Sequence, residues 1–481
     1  MCRSVRQTWM MAVLLLSVPF SAQTTDPQKP AESVGPAETF KSRSELVLVP
    51  VVVRDSKGKH VGGLSKDLFR LEEHGKEQVI SLFEEVQPPA GASNPSAALD
   101  RGFSNLPFDN ADQLRLTIIV LDLLNTTPLQ RTDGKEQIVK FLSKRLAPGQ
   151  PVSLLCITSK GLKSVQPFTT DTNALIQALN KTPPGGSTVI PHRDAVSSTI
   201  RQLNDIAQAY AGIPGRKSMI LAAGYIPELA TEDQMFTSSV FADDLRRMWK
   251  SLIDANISVY PIQLLGWARD PTLGGVAARP SDLFLRQFAD STGGNRCLES
   301  NDLFGCLAQA VEDSRSYYML GFSVQPNDRK PGWRDLKVKV SAQHVNVRAR
   351  NGFYYGEPSP QDPKSAHRDE INALASPLAY SAVPMLVKVL PSSPADATPA
   401  PSGQKKNTVS FLITIPLSGV RVDLSRQNPL DLEIGAIALT SDTREAAEFL
   451  HPVRGNPKAE NRQEWLREGV KLQETLDLLP G

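Results

Sequence analysis

The sequence has no surplus of charge. It carries 53 basic and 51 acidic residues among 481, and setting aside Arg3 and Arg6 of an expected leader leaves 51 of each. A balanced chain offers no electrostatic case for nucleic acid or an anionic membrane surface. Beyond the N-terminus it also lacks the run of about 20 apolar residues that a spanning helix needs. No transmembrane span is therefore expected after leader cleavage. Histidine is scarce, at positions 60, 74, 192, 344, 367 and 451. No two of these have metal-ligand spacing on a helix, and no zinc-protease pattern occurs. No Gly-x-Ser-x-Gly elbow is present. Gly212-Ile-Pro-Gly-Arg-Lys-Ser218 approaches a phosphate loop but lacks the glycine before lysine and runs into a strand, whereas a phosphate loop opens a helix. His192 is expected as a solvated loop residue. Glu72-Glu73 and Asp243-Asp244 fall on expected solvent faces, although glycosidase carboxylates need not be sequence neighbours. These absences point away from an enzyme. The alternative is an extracytoplasmic hydrolase whose site is assembled from distant residues.

Cysteine is equally scarce, with four in the chain. Cys156 sits inside the apolar run Val152–Ile157 and is expected as an inert core thiol. Cys297 and Cys306 are close in sequence and are expected to form a disulfide, given an oxidising compartment.

What is present begins with an export signal. Arg3 and Arg6 precede an apolar run from Trp9 to Val18, followed by Ser21-Ala22-Gln23. That is the layout of a cleavable secretory leader, expected over residues 1–22, with Phe20 bulkier than the usual residue near a cut. The mature protein is therefore expected to be secreted or periplasmic. Residues 23–43 read as a flexible lead.

Residues 44–86 read as a short β unit. Glu45–Val53 is rich in β-branched residues, with Pro50 suggesting an edge strand, and Gln78–Phe83 is a second strand. Residues 87–112 read as a linker. Over 113–300 the rhythm changes to apolar strands at Leu116–Leu121, Val152–Thr158, Lys217–Ala222 and Ile257–Ile262. Helical patterns separate them at Gly134–Leu146, Asp171–Leu179, Ala195–Ala209, Asp243–Ala255 and Ser281–Asp290. Such alternation predicts an α/β domain with a doubly wound, mostly parallel sheet. Residues 301–355 read as a helix and further strands that are expected to complete a β-sandwich with 44–86. There Lys337, Lys339, Arg348 and Arg350 alternate with apolar residues and are expected on the wet face of an antiparallel sheet. Residues 356–370 are a linker. Residues 371–481 read as a C-terminal β module with a Pro/Ala/Ser-rich insert and a terminal helix over Gln463–Leu479.

Several segments in this order resemble the von Willebrand factor type A-related proteins abundant in Acidobacteria. They are Val52–Gly58, Gly63–Phe69, Leu121–Thr126, Ala147–Val152, Gly215–Lys217, Tyr317–Phe322 and Val347–Tyr354. The resemblance spans about two thirds of the chain, from Leu46 to Tyr355, and implies a type A-like (vWA/Rossmann-like) domain used for binding rather than catalysis.

Type A domains commonly hold a divalent cation at the C-terminal edge of the sheet, through Asp-x-Ser-x-Ser, a later Thr and a later Asp. The resemblance maps the first aspartate to Asp122, the second hydroxyl to Thr126 and the threonine to Ser187 or Thr188. Leu124 stands where the first serine would be, and Ala223 where the late aspartate would be. A hard cation wants about six oxygens. The expectation is thus a degenerate adhesion site with Asp122, Thr126 and Ser187 as metal ligands for Mg²⁺ or another divalent cation. The expected ligand-binding edge comprises Asp122, Leu124, Asn125, Thr126, Ser187 and Thr188. The bland counterpart is that Asp122 and Thr126 merely cap a turn. The expected function is adhesion-type binding of a protein or surface polymer outside the cytoplasm.

Overall fold

A computed structural model describes residues 45–87, 103–106, 115–146, 149–182, 192–224, 242–264, 282–296, 303–324, 332–356, 373–374, 376–390, 407–417, 430–439, 445–455 and 462–478. The leader and flexible lead expected over 1–43 lie outside these.

The chain opens with strands β1 (Glu45–Asp55), β2 (Phe69–Glu73), β3 (Lys76–Gln78) and β4 (Leu82–Val86), then the two-residue β5 (Phe103–Ser104). The α/β domain follows with β6 (Thr117–Asp122), α1 (Pro128–Arg145), β7 (Val152–Thr158), β8 (Gly161–Thr169), α2 (Thr172–Lys181) and α3 (His192–Ala209). It continues through β9 (Lys217–Ala223), α4 (Ala242–Asp254), β10 (Ile257–Gln263), α5 (Asp282–Thr292) and α6 (Leu303–Arg315). Then come β11 (Tyr317–Val324), β12 (Gly332–Val340), β13 (Val345–Ala349) and β14 (Gly352–Tyr355). The last part holds β15 (Leu386–Val389), β16 (Asn407–Ile415), β17 (Leu430–Leu439), β18 (Glu445–Gly455), α7 (Arg462–Glu468) and β19 (Val470–Leu478).

The central sheet has the order β10-β9-β6-β7-β8. Strands β6, β7, β9 and β10 are parallel, and β8 folds back antiparallel on β7 as an edge. This is a doubly wound, vWA/Rossmann-like α/β fold. Burial on both faces explains the uninterrupted apolar strands. In β6, Ile118 and Val120 face a core built with α3, α4 and α5, including Leu203, Trp249 and Phe288. Ile119 and Leu121 face the opposite core with α1, α2 and α6, including Phe141, Leu175 and Leu307. Helix α6 thus belongs to this domain's second layer, so the boundary expected near residue 300 falls inside the fold. Cys156 is buried and free in that core. Cys306 is disulfide-bonded, while Cys297, its expected partner, lies outside the described residues.

The flanking strands form two facing antiparallel sheets, β13-β1-β11-β4 and β14-β12-β2-β3, around a core of Val49, Leu71, Tyr318 and Phe322. The edge position expected for β1 from Pro50 is wrong: β1 lies between β11 and β13. Pairing with β13 starts only at Val51, so Pro50 lies just outside that ladder and its missing N–H costs it nothing. Arg348 and Arg350 are likewise not on a wet face; Arg350 is 6% exposed. Arg350 is buried and Arg348 half-buried because the α/β domain covers that end of the sandwich.

The C-terminal module comprises the sheet β19-β16-β15-β5 and the hairpin β17–β18, enclosing Phe411, Ile413, Ile415 and Ile434. Two expectations fail here. The terminal helix is only α7, after which β19 pairs along β16. Gly469, at φ 79°, stops the helix, and Val470, Leu472 and Leu476 share one face of a strand of period two rather than of a helix. The 87–112 linker contributes β5, whose Phe103 pairs with Val387.

One carboxylate ties the sandwich to the α/β domain. Asp313 at the end of α6 is fully buried. Its Oδ1 accepts from Arg54 Nε of β1 at 2.6 Å, and its Oδ2 accepts from Arg348 Nη2 of β13 at 2.5 Å and Tyr260 OH of β10 at 2.8 Å. Replacing Asp313 with alanine leaves the buried Arg54 guanidinium and the half-buried Arg348 guanidinium without their counter-charge. The expected loss is about 3–5 kcal/mol, read as a drop in the urea midpoint; a change under about 1 kcal/mol would contradict the role given to Asp313.

Lys217, at the start of β9, is 1% exposed, and its Nζ donates to the carbonyls of Ile213 at 2.5 Å and Gly215 at 3.1 Å. Burial pulls its ammonium down to about 7. The unfolded chain keeps that proton up to about 10.4. Between these values the unfolded state binds more protons, so this group makes stability rise with pH. Lys217→Met is expected to be most stabilising relative to the parent at pH 7 and progressively less so towards pH 10. Urea melts at pH 7, 8 and 9 check this, and a pH-independent difference would refute it.

Candidate functional site

The C-terminal edge of the central sheet is where ligands bind in open α/β folds. The sandwich docks at the other end of the parallel strands, as the position of Arg216 immediately before β9 shows: its backbone N–H donates to Tyr317 OH at 3.1 Å. The segments 183–191, 225–241 and 265–281, beside the C-terminal edge in sequence, lie outside the described residues, and with them Ser187 and Thr188.

Asp122 is the last residue of β6, and the chain turns sharply after it into α1. The turn is built by its carboxylate. Oδ1 accepts from the backbone N–H groups of Leu124 at 2.9 Å and Asn125 at 3.1 Å. Oδ2 accepts from Asn125 Nδ2 at 2.6 Å and, at 3.4 Å, from the Thr199 hydroxyl of α3. Burial pushes the Asp122 carboxyl above its ordinary value, and these bonds pull partly the other way.

Thr126 does not face a ligand. Its hydroxyl donates to the Asp122 carbonyl at 2.5 Å and accepts from Arg131 Nε at 3.3 Å. Arg131 Nη2 also donates to the Leu123 carbonyl at 2.5 Å. Burial holds the Arg131 guanidinium below its ordinary value, and the charge of Asp122 beside it offsets this in part. A cavity of about 10 Å³, room for one water, remains between Asp122, Thr126, Arg131, Lys135 and Thr182. Lys135 Nζ donates to the Thr182 carbonyl at 2.8 Å.

The donor set among the described residues does not fit a divalent cation. Among them one carboxylate is available, both its oxygens already accept hydrogen bonds, and two cationic side chains line the adjoining cavity. Leu124 packs against the core rather than offering an oxygen, and Ala223 is buried. The structure brings Asp122, Asn125 and Thr126 together, but as a turn-building cluster. Asp122 is wholly buried, and Asn125 and Thr126 are each 8% exposed, so the ligand-facing rim expected of them is not what they form. The exposed rim is the next three residues, Thr127, Pro128 and Leu129, with Leu129 52% exposed.

Sequence reasoning missed Arg131 and Thr199. A signal for the first was present. Thr127-Pro128-Leu129-Gln130 is a capping box, with Gln130 N–H donating to Thr127 Oγ1 at 3.3 Å and Thr127 N–H to Gln130 Oε1 at 2.8 Å. Reading it starts α1 at Pro128 rather than Gly134 and puts Arg131 on the first turn, behind the site. Thr199 carries no such local signal. His192 opens α3 rather than lying in a loop.

No family model matches the chain, and no curated protein matches it. Among solved structures, it is similar to an aerotolerance-related membrane protein from Bacteroides fragilis NCTC 9343 carrying multiple mutations to serines. Identity is 14%, over 41% of this chain and 98% of that one, with a TM-score of 0.27. It is also similar to the SpRpn10 VWA domain at 15% identity over 41% and 94%, TM-score 0.25. The TFIIH p34 N-terminal domain matches at 13% identity over 42% and 99%, TM-score 0.26. The fold assignment rests on the strand order described above, not on these likenesses.

Asp122→Ala removes the acceptor from two backbone N–H groups and the Asn125 amide. A destabilisation of about 2–4 kcal/mol is expected, measured by urea unfolding. In parallel, calorimetric titration of the parent with Mn²⁺ is expected to show no saturable heat; saturable binding lost in Asp122→Ala would restore the cation site.

Proposed function

We propose that the protein is an exported, non-enzymatic binding module of the acidobacterial von Willebrand factor A-related type. In this reading the α/β domain contacts a protein or surface polymer at the start of α1 without a bridging cation. The carrying observation is the pairing of a saturated, buried Asp122 turn with an exposed Thr127-Pro128-Leu129 rim. A cation-dependent domain uses the metal to reach a partner's carboxylate. Here the Arg131 guanidinium stands behind the Asp122 turn, leaving shape and apolar contact at Leu129 to carry recognition. The reading of Arg3, Arg6 and the apolar run after them supports an extracytoplasmic address. Among the described residues no helix is long and apolar enough to cross a membrane.

The rim is tested by placing a photo-crosslinking side chain at position 129 of the full chain in the cells that produce it. A discrete adduct is expected, insensitive to EDTA, suppressed by Pro128→Ser with Thr127→Lys, and absent with the probe at Lys160. Adducts of equal yield at both positions, or loss of the adduct with EDTA, would refute this reading.

A further inference from the structure

Four arginines, Arg54, Arg216, Arg348 and Arg350, crowd the junction between the α/β domain and the sandwich, and among the described residues Asp313 is the acid shown paired with any of them. It serves Arg54 and Arg348. Arg216 donates only to neutral groups, Tyr260 OH at 2.8 Å and the Gly293 carbonyl at 3.0 Å, and its Nε and Nη1 are buried with no hydrogen-bond partner. Arg350 donates to the Leu48 carbonyl at 2.5 Å and the Ile253 carbonyl at 3.4 Å, with its Nε buried and unpartnered. Asp254 offsets the Arg350 charge in part but is itself paired with Lys250 at 2.6 Å. Among the described residues the junction therefore holds more buried positive charge than the carboxylates paired with it balance, an arrangement that is costly without a counter-ion.

Beside this group, between the end of α5 and strands β12 and β13, lies a cavity of about 360 Å³. Arg348 and Arg350 form its wall, Arg296 and Lys337 join them, and Asn295 and Asn351 add amides. Asp290 is the carboxylate on that wall, and Arg296 already holds it, with Nε donating to Oδ1 at 2.9 Å. Leu336, Val338 and Ala289 supply an apolar side. The volume falls at the small end of ordinary ligand sites.

We propose that this cavity binds a small organic molecule through an oxyanion, a carboxylate or a phosphate group. Guanidiniums present planar forks that match either group, and the apolar side accommodates a short carbon skeleton. The ligand supplies the negative charge that the junction lacks. The site lies at the end of the central sheet away from Asp122, so it is independent of the rim at Leu129.

The test is calorimetry on the full chain at low ionic strength and pH 7, with inorganic phosphate and succinate as separate probes. Saturable one-site binding of at least one is expected; phosphate alone marks a phosphate-bearing ligand, and succinate alone a carboxylate-bearing one. Because Arg350 also anchors two carbonyls, the variants are at the rim. Lys337→Glu and Arg296→Ala are expected to weaken binding by about tenfold or more, the size of one charge-assisted hydrogen bond. Lys339→Ala, on the same strand but paired with Glu72, is expected to bind as the parent does. Absence of saturable binding by either anion, or unchanged affinity in both rim variants, overturns the proposal.

Discussion

The architecture depends on the buried carboxylate of Asp313. Residues from β1, β10 and β13 meet at its two oxygens, so segments 259 residues apart in the chain are fixed through one side chain. An isolated carboxylate in that position would be neutralised rather than buried charged. Two guanidiniums make the burial tolerable, and the same guanidiniums would be stranded without it. This mutual need holds the sandwich to one end of the central sheet. Tyr260 extends the network to Arg216, which reaches the backbone of Gly293. That glycine approaches Ala349 and Arg350 so closely that a Cβ would lie 2.8 Å from the Arg350 nitrogen, so the small residue and the docking geometry are one requirement.

The consequence for function is directional. With the sandwich at the N-terminal ends of the parallel strands, the described residues at the opposite edge, Asp122 to Leu129 among them, belong to the α/β domain. Asp122 occupies that edge but turns its bonding inward, to Leu124, Asn125 and Thr199. Four hydrogen bonds to one buried carboxylate, several of them charge-assisted at about 1.5–3 kcal/mol each, would have to be surrendered for a cation that gains a single carboxylate. The guanidinium of Arg131 supplies positive charge there without that exchange.

Much of the central sheet was legible in the sequence because burial on both faces writes each parallel strand as a continuous apolar run. Leu116–Leu121 and Lys217–Ala222 are such cases, and the alternation with helices fixes the class. The antiparallel edge β8 was not legible: its residues alternate weakly and include Pro167, and an edge strand is half-solvated. Strand β19 was misread for a related reason. Its charged residues, Lys471, Glu474 and Asp477, suit a surface helix as well as a surface strand, and only pairing with β16 decides between them. At the candidate site, the positions of Asp122 and Thr126 were readable but their partners were not. Whether a carboxylate faces a ligand or its own turn depends on Asn125 and Thr199, the latter 77 residues away.

The same limit applies to Arg348 and Arg350. Alternation along β13 is real, and it correctly separates them from the apolar residues between. Alternation assigns side chains to two faces; it does not say that the second face is wet. Here a second domain covers it, so residues whose spacing signals solvent are drawn in, Arg350 to 6% exposure and Arg348 part-way. A domain interface that takes in several arginines and few carboxylates is poorly satisfied by protein alone. Hydrophobic closure would favour replacing such groups by apolar ones of similar volume. Their position beside an open cavity makes physical sense with a negative charge that comes from outside the chain.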